Sequence, residues 1–208
     1  MGVFVANTSH LLSAIVLYRL GLVVWRSNPR GPLLSLVAAL LHVVSPAGLF
    51  LSAPYAESTC ALLTFSGYLL YAHSCTSPTA TGRDGYVVLA GLAFGLATSF
   101  RSNAILNGIP FAWEVLQVLA TLAARWTSNN TAALVRSDPQ TTSTTGDAVR
   151  RLLALGTGGV AVALGTLVPQ AVAYQRFCVG PSDADVPRRP WCDKLVPSIY
   201  TFVQQHYW

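Results

Sequence analysis

Long apolar runs alternate with short polar breaks along almost the whole chain. A helix of about 20 apolar residues crosses the hydrocarbon core of a bilayer, and six runs come close to that length. The pattern therefore predicts an all-α, polytopic membrane protein with about six transmembrane helices. The predicted spans are residues 3–25, 33–51, 57–73, 85–100, 104–123 and 151–175.

The arginines of the polar breaks predict the orientation of these spans. Lys and Arg in short loops mark the cytosolic side of a membrane protein. One set of breaks, 52–56 and 101–103, contains Arg101 alone. The other set is therefore predicted to be cytosolic: it consists of 26–32, 74–84 and 124–150 and holds Arg26, Arg30, Arg83, Arg125, Arg136 and Arg150.

Two further segments are predicted, one from its composition and one from the alternation of spans. Residues 124–150 are rich in Thr, Ser, Asn and Asp and lack apolar periodicity, which predicts a flexible cytosolic loop. The tail, 176–208, is predicted on the opposite, lumenal side, which it shares with the segments 45–58 and 101–103. The chain is expected to form a single membrane domain, 1–208, with its unusual segments around one cavity.

Composition supports a membrane location and argues against nucleic-acid binding. Of the 208 residues, 52% are hydrophobic and 10% are charged, whereas soluble domains contain about 25% charged residues. The net charge of +5 comes from basic residues scattered between apolar runs. Scattered charges suit membrane orientation better than binding of a phosphate backbone, so no nucleic-acid partner is expected.

The segment 45–58 is the most unusual part of the apolar sequence. It contains Pro46, Pro54 and Glu57 between two long apolar runs. An acid near the bilayer usually serves a site or a partner, and a proline frees backbone groups that need other partners. The segment therefore predicts the edge of a functional cavity.

Glycines recur at helical spacing in two of the predicted spans. Small residues let transmembrane helices approach closely, as in the GxxxG pattern. Close helix packing is therefore predicted at Gly91, Gly95, Gly156, Gly158, Gly159 and Gly165.

Two polar residues are predicted near the middle of spans. His42 is expected to hydrogen-bond another helix, because a polar ring in the bilayer needs a partner; a catalytic role is the alternative. Glu114 is expected either to pair with an unidentified partner or to lie closer to an interface. The aromatic residues of the tail predict an interfacial belt and are Trp191, Tyr200, Phe202, Tyr207 and Trp208.

Three segments, in this order, resemble the PIG-V family. The first is 45–58, and the second is Ala97-Thr98-Ser99-Phe100-Arg101-Ser102-Asn103-Ala104-Ile105-Leu106-Asn107-Gly108. The third is the tail, with Pro169-Gln170, Tyr174-Gln175-Arg176-Phe177-Cys178, Arg189-Pro190-Trp191-Cys192, Pro197-Ser198-Ile199-Tyr200 and Gln205-His206-Tyr207-Trp208. The run Ile109-Pro110-Phe111-Ala112-Trp113-Glu114 is similar in style to fungal members.

The resemblance implies a glycosyltransferase of GPI-anchor biosynthesis. This family, GPI mannosyltransferase 2, transfers the second mannose from dolichyl-phosphate mannose to the GPI precursor, in α-1,6 linkage, in the lumen of the endoplasmic reticulum. The implied architecture is a multi-pass membrane protein of the GT-C glycosyltransferase fold. The implied partners are the two lipid substrates and a small membrane subunit. No cofactor is implied; a divalent metal is compatible with this fold class, but no ligand cluster in the sequence indicates one.

The resemblance also assigns candidate site residues. Glycosyl transfer needs a carboxylate that takes the acceptor proton, and Glu57 is the catalytic candidate within this chain; its alternative is a hydrogen bond that holds the turn. Arg101 suits the donor phosphate, because a guanidinium binds phosphate through two hydrogen bonds; its alternative is snorkelling to lipid headgroups. The implied substrate-binding residues are Arg101, Asn103, Asn107, Tyr55 and His206.

Asn103 and Asn107 are four residues apart, a spacing that places two residues on one face of an α-helix. That face is expected to point toward the cavity or, alternatively, to pack between helices.

The sequence departs from the family pattern at one important point. Family members carry a Trp-Asp motif in the first lumenal loop, and its Asp is the expected base, but no Trp in this chain is followed by Asp. The main acid is therefore expected outside this chain, which is expected to be an inactive internal piece of a longer enzyme. A polytopic transporter or a noncatalytic membrane subunit is the alternative, since intramembrane prolines also mark transport sites.

The cysteines divide into two pairs. Cys178 and Cys192 lie in the predicted lumenal tail, and an oxidising compartment favours a disulfide between them. Cys60 and Cys75 are expected to be buried or free.

Overall fold

The structure, a computed structural model, describes residues 2–44, 56–129, 145–179, 189–193, 198 and 202. All regular elements among these residues are helices, which confirms the all-α prediction for the described part of the chain. The α-helices are α1 (Gly2–Val24), α2 (Gly31–Val44), α3 (Glu57–Thr76), α4 (Ala80–Phe100), α5 (Ile109–Asn129) and α6 (Thr145–Tyr174). A 3-10 helix (Ser102–Gly108) precedes α5, and a π-helical turn (Gln175–Val179) follows α6.

Local side-chain chemistry sets where several helices begin. The hydroxyl of Thr79, before α4, accepts a hydrogen bond from the N–H of Gly82 at 3.2 Å, which satisfies an otherwise unpaired amide of the first turn. Pro110 occupies the first turn of α5, a position at which proline is tolerated. Between α1 and α2, the side chain of Asn28 accepts from the N–H of Arg30 at 2.9 Å and stabilises the reversal of the chain.

The buried core lies where α3, α4, α5 and α6 meet. α1 packs on both α2 and α3, α3 packs on α4, and α4 and α5 both pack on α6. The ring of Phe94 is fully buried, with its centroid 5.0 Å from that of Tyr68 and 5.7 Å from that of Phe111. Leu155 and Val162 of α6 complete this cluster.

Glycines let α4 and α6 approach each other closely. A methyl group at Gly91 would overlap the backbone of Gly158, and one at Gly95 would overlap the backbone of Ala161. Gly165 in turn abuts the backbone of Gly95. The missing side chains let α4 and α6 touch backbone to backbone, so the prediction of close packing is confirmed at these positions.

The same prediction is wrong for Gly156 and Gly159. A methyl group at either position would meet no atom within 4 Å among the described residues. Both glycines border a groove of about 520 Å³ between α5 and α6, which Phe111, Val115 and Ala163 also line. They lie on a different side of α6 from Gly158 and therefore do not reach α4.

Among the residues that the structure describes, three helical segments are long and apolar enough to cross a membrane by length and composition. α2 is apolar but has 14 residues, whereas α3 and α4 have 20 and 21 residues but contain more polar ones. Their buried polar residues include Ser58, Ser74 and Asp84, which suits helices that lie between other helices. The three segments are Gly2–Val24, Ser102–Ala124 and Gly146–Val179.

Helix boundaries differ from the predicted spans. α5 continues to Asn129 and α6 begins at Thr145, so helices occupy both ends of the segment 124–150 that was predicted as a loop. α3 and α4 also extend beyond their predicted spans, because polar residues at their ends continue the helix despite low hydropathy. Residues 45–55, with both prolines of the unusual segment, lie outside the described residues.

A buried ionic cluster joins four of the helices. The Nε of Arg151 in α6 donates to Oε1 of Glu114 in α5 at 2.6 Å, and its Nη1 donates to Oδ1 of Asp84 in α4 at 3.4 Å. The hydroxyl of Tyr71 in α3 donates to Oε2 of Glu114 at 2.8 Å, and Nε of Arg150 lies 2.7 Å from Oδ2 of Asp84. The prediction that Glu114 pairs with a partner is confirmed. Such charges are tolerated in an interior because they are paired.

Candidate functional site

Glu57 and Arg101 form an ion pair at one end of the bundle. Nη1 of Arg101 donates to Oε1 of Glu57 at 3.2 Å, and the side chains of Glu57 and Arg101 are 31% and 45% exposed. The start of α3 and the chain just after α4, which the alternation of spans predicts on one side of the membrane, therefore meet in the structure. We call this end of the bundle the site end.

Helix geometry explains the position of the pair. Glu57 is the first residue of α3, and Arg101 directly follows the last residue of α4. Because these helices are antiparallel neighbours, the start of one lies beside the end of the other. A carboxylate at a helix N-terminus and a cation at a C-terminus each interact favourably with the helix dipole. The ends of α3 and α4 therefore favour the charge that each residue carries.

The backbone of Arg101 is fixed between two helices. It is extended, with φ −143° and ψ 124°. Its N–H donates to the carbonyl of Ala97 at 3.0 Å, and its carbonyl accepts from the N–H of Ala104 at 3.0 Å. The chain thus changes direction at Arg101, from α4 into the 3-10 helix.

Asn107 connects the 3-10 helix to α3. Its side chain is buried, and Nδ2 donates to Oγ1 of Thr64 at 3.1 Å. Thr64 lies about two helical turns from Glu57 in α3. Of the two environments expected for Asn107, packing between helices is the one that the structure shows.

Asn103 does not share the environment of Asn107. Asn103 is exposed at the site end, whereas Asn107 is buried. In a 3-10 helix, positions i and i+3 are aligned, and positions i and i+4 are not. The expected common α-helical face is therefore wrong, because the segment forms a tighter helix.

A histidine pair lies in the neighbouring layer of α1 and α2. Nε2 of His42 is 2.9 Å from Oγ of Ser13, and its ring centroid is 5.1 Å from that of His10. The Ser13 hydroxyl donates to the carbonyl of His10 at 2.7 Å, so it must accept from His42. A neutral His42 therefore carries its proton on Nε2. The predicted hydrogen bond between His42 and another helix is confirmed.

The polar face of α1 that receives His42 was not predicted from the sequence. Ser9 and Ser13 are four residues apart, so they lie on one face of the helix, and both are buried. The hydroxyl of Ser9 is 3.4 Å from that of Thr59 in α3. The serine spacing in the first apolar run was the available signal, and it marks the side of α1 that faces the protein.

The described start of the tail lies at the site end. The glycine contacts show that α4 and α6 run in the same direction, so α6 ends near the end that holds Arg101. Just beyond α6, Cys178 forms a disulfide with Cys192, their Cα atoms being 5.6 Å apart. This is the pairing expected from the sequence. Cys60 is free and buried, and Cys75 is free and exposed.

Trp191 does not belong to an exposed aromatic belt. Its side chain is 3% exposed, which contradicts the interfacial position predicted for it. It lies in a turn closed by a hydrogen bond from the N–H of Cys192 to the carbonyl of Arg189 at 3.0 Å. Because the disulfide ties this turn to the chain just after α6, protein rather than lipid covers the indole.

Two predicted substrate-binding residues, Tyr55 and His206, lie outside the described residues, as do Tyr200, Tyr207 and Trp208. Within the described ranges, no three His, Cys, Asp or Glu side chains gather as a metal ion requires.

The ionic cluster lies at the end of the bundle opposite the site end. From Asp84 to Arg101, α4 rises about 25 Å at 1.5 Å per residue. Arg151 is 5% exposed, and its Nε and Nη1 donate to protein groups. The half-exposed guanidinium of Arg101 is accessible to an anionic group.

These features define a multi-pass membrane protein: a bundle of apolar helices with a partly exposed acid–guanidinium pair at one end. Its family is shown by comparison with known sequences. The chain belongs to the mannosyltransferase (PIG-V) family, whose model matches residues 1–208.

Fungal proteins named GPI mannosyltransferase 2 are similar to the whole chain. The protein of Chaetomium globosum is 54% identical over 222 residues, which cover 100% of this chain and 43% of the relative. The protein of Aspergillus oryzae is 39% identical, with 99% of this chain and 44% of the relative covered. That of Gibberella zeae is 37% identical, with 100% and 43% covered. The chain thus spans less than half the length of these relatives. No solved structure shows a significant match.

Proposed function

We propose that this chain is part of a GPI mannosyltransferase 2. The full enzyme would transfer the second mannose of the GPI anchor, in α-1,6 linkage, from dolichyl-phosphate mannose to the GPI precursor. The observation that carries the proposal is the pair of Glu57 and Arg101, which joins two of the segments that resemble the family. Family membership supports the reaction class, and the names of the relatives support the acceptor.

The chemistry of the transfer gives Arg101 a task. The acceptor hydroxyl attacks the anomeric carbon, the bond between that carbon and the phosphate oxygen breaks, and negative charge develops on dolichyl phosphate. A guanidinium that donates to the phosphate oxygens stabilises this charge. Exposed Asn103, two residues further on, would donate to or accept from hydroxyls of the sugar. The base that takes the acceptor proton is expected in the Trp-Asp segment of the full enzyme.

We infer that the chain crosses the endoplasmic-reticulum membrane six times, as part of a GT-C fold, with the site end in the lumen. α2, α3 and α4 occupy the positions of the second, third and fourth predicted spans. The disulfide between Cys178 and Cys192 suits the oxidising lumen. The ionic cluster, about 25 Å from Arg101 along α4, would then lie at the cytosolic boundary.

Complementation tests the proposal. The gene that encodes this chain would be expressed at full length in fungal cells that lack the second GPI mannosyltransferase. The wild-type protein is expected to restore mannosylated GPI intermediates, and Arg101→Ala is expected to reduce this restoration strongly. Arg26→Ala is the matched control, because Arg26 is exposed in the turn at the opposite end.

Two results would contradict the proposal. A wild-type protein that is present in the membrane but forms no second-mannose product would point to a transporter or a noncatalytic subunit. Full restoration by Arg101→Ala, at equal protein level, would remove Arg101 from the donor site.

A further inference from the structure

We propose that Glu57 is a positioning residue for Arg101 and does not act as the base. Its carboxylate holds one nitrogen of the guanidinium so that the other N–H groups face the phosphate of the lipid-linked donor. This inference rests on the proposed function and assigns a positioning role to a residue that the sequence marks as a catalytic candidate.

Among the described residues, Glu57 contacts one nitrogen of the Arg101 guanidinium. A guanidinium has five N–H donors in a planar fork, and Nη1 of Arg101 makes a single contact, with Oε1 of Glu57 at 3.2 Å. Within the described residues, no other guanidinium nitrogen of Arg101 has such a contact. A single contact leaves an edge of the fork with two parallel donors, which is the geometry that two phosphate oxygens accept.

The side chain of Arg101 needs a partner that orders it, because hydrogen bonds fix the backbone of Arg101 but not its side chain. Hydrogen bonds to Ala97 and Ala104 hold the backbone, whereas the side chain is 45% exposed. A long, exposed side chain loses conformational entropy when it is ordered by a ligand. Glu57, fixed in the first turn of α3, orders the guanidinium before the donor arrives.

The ion pair is a poor arrangement for a general base. A proton transferred to Glu57 would neutralise the carboxylate and weaken its interaction with Arg101, just as the leaving phosphate requires that cation. A bare carboxylate beside the phosphate would also repel the developing charge. The order carboxylate, guanidinium, phosphate keeps a cation between the two anions.

If the pair acted only by stabilising the fold, removal of Glu57 would lower the amount of folded protein. Half-exposed ion pairs add little to stability, because water solvates the charges and the side chains lose freedom. Removal of Glu57 is therefore expected to leave the amount of folded protein unchanged while it changes the kinetics toward the donor.

Kinetics of the full-length protein test the inference. Membranes from the complemented cells would receive radiolabelled dolichyl-phosphate mannose at several concentrations, and initial rates would be normalised to the amount of enzyme. The variants are Glu57→Gln, Glu57→Ala, Arg101→Ala and the double variant Glu57→Ala/Arg101→Ala. Asp147→Asn, an acid at the opposite end with a 42% exposed side chain, is the control.

The amide of Glu57→Gln keeps an oxygen that accepts from Nη1. This variant is therefore expected to stay within about threefold of wild type, whereas Glu57→Ala is expected to lose about tenfold in kcat/KM, mainly through a higher KM for the donor. The kcat/KM of the double variant is expected to be no lower than that of Arg101→Ala alone, because Glu57 acts only through Arg101.

Three outcomes would overturn the positioning role. Glu57→Gln as inactive as Glu57→Ala would indicate a base; wild-type kinetics of Glu57→Ala would indicate no role; and multiplied losses in the double variant would indicate independent action. These outcomes leave the proposed function intact, because they all require a wild-type enzyme that transfers mannose. A wild-type protein without transferase activity would instead overturn the proposed function itself.

Discussion

Arg151 and Glu114 form the shortest ion pair among the described residues, with Nε and Oε1 2.6 Å apart. Arg151 is 5% exposed and also donates to Asp84, so one guanidinium ties α6 to both α4 and α5. Tyr71 adds α3 through the second oxygen of Glu114. This cluster therefore fixes the relative positions of four helices at the end opposite the site.

Arg151→Met is expected to destabilise the protein by about 3–5 kcal/mol, because removing one partner leaves a buried charge without compensation. Unfolding in mixed detergent, followed by loss of helical signal, measures the change. Arg26→Ala, at an exposed turn, should change stability by less than about 0.5 kcal/mol. Partial recovery in Arg151→Met/Glu114→Leu would show that the unpaired acid causes the loss; an equal or greater loss in the double variant would refute this.

The two sets of glycines predict opposite responses to the same substitution. Gly91→Ala should destabilise by about 1–3 kcal/mol, because the methyl group overlaps the backbone of Gly158. Gly156→Ala and Gly159→Ala meet no neighbour and should stabilise the helix by up to about 1 kcal/mol. The same unfolding measurement compares them. A loss at Gly159→Ala equal to that at Gly91→Ala would mean that the groove is filled in the full-length protein.

Asn103 and Asn107 are expected to separate function from stability. Asn107→Ala removes a buried hydrogen bond to Thr64 and should cost about 1 kcal/mol. Asn103→Ala affects an exposed side chain and should change stability by less than about 0.5 kcal/mol while it lowers mannosyl transfer. Parallel unfolding and activity measurements check the pair. Wild-type activity of Asn103→Ala would remove it from the substrate site.

The disulfide is expected to be detectable by gel mobility. Wild-type protein should migrate differently with and without reductant, whereas Cys178→Ser and Cys192→Ser should each migrate like the reduced form, since both cysteines belong to one bridge. Cys75→Ser is the control, because Cys75 is free. A mobility shift retained in either bridge variant would contradict the pairing.

Cysteine labelling tests which side of the membrane the site end faces. In a Cys75→Ser background, Ser27→Cys and Asn103→Cys place exposed thiols at opposite ends of the bundle. In intact microsomes, whose cytosolic side is outside, an impermeant maleimide should modify the thiol at position 27 alone. The thiol at position 103 should react only after permeabilisation. Equal reaction of both in intact vesicles would disprove the lumenal site.

Sequence patterns placed Glu57 and Arg101 on one side of the bundle but did not predict that they form a pair. Alternation of spans brought Glu57 and Arg101 to one side, and the structure places them in contact. The 3-10 helix after Arg101 was not predictable from the polar spacing, so Asn103 and Asn107 were assigned to one face in error. The burial of Trp191 was missed as well, because hydropathy does not reveal that a disulfide draws a turn against the protein.

The sequence by itself determined the helical class, the family and the placement of Glu57 and Arg101 on the same side of the bundle. These follow from hydropathy, charge distribution and motifs, which are local properties of the chain. Only the tertiary structure decided which polar groups meet. Arg101 and Glu57 are 44 residues apart, and Arg151 and Glu114 are 37 apart. Their contacts depend on which helices are neighbours and how each is rotated. The glycine contacts between α4 and α6 and the packing around Phe94 set this arrangement.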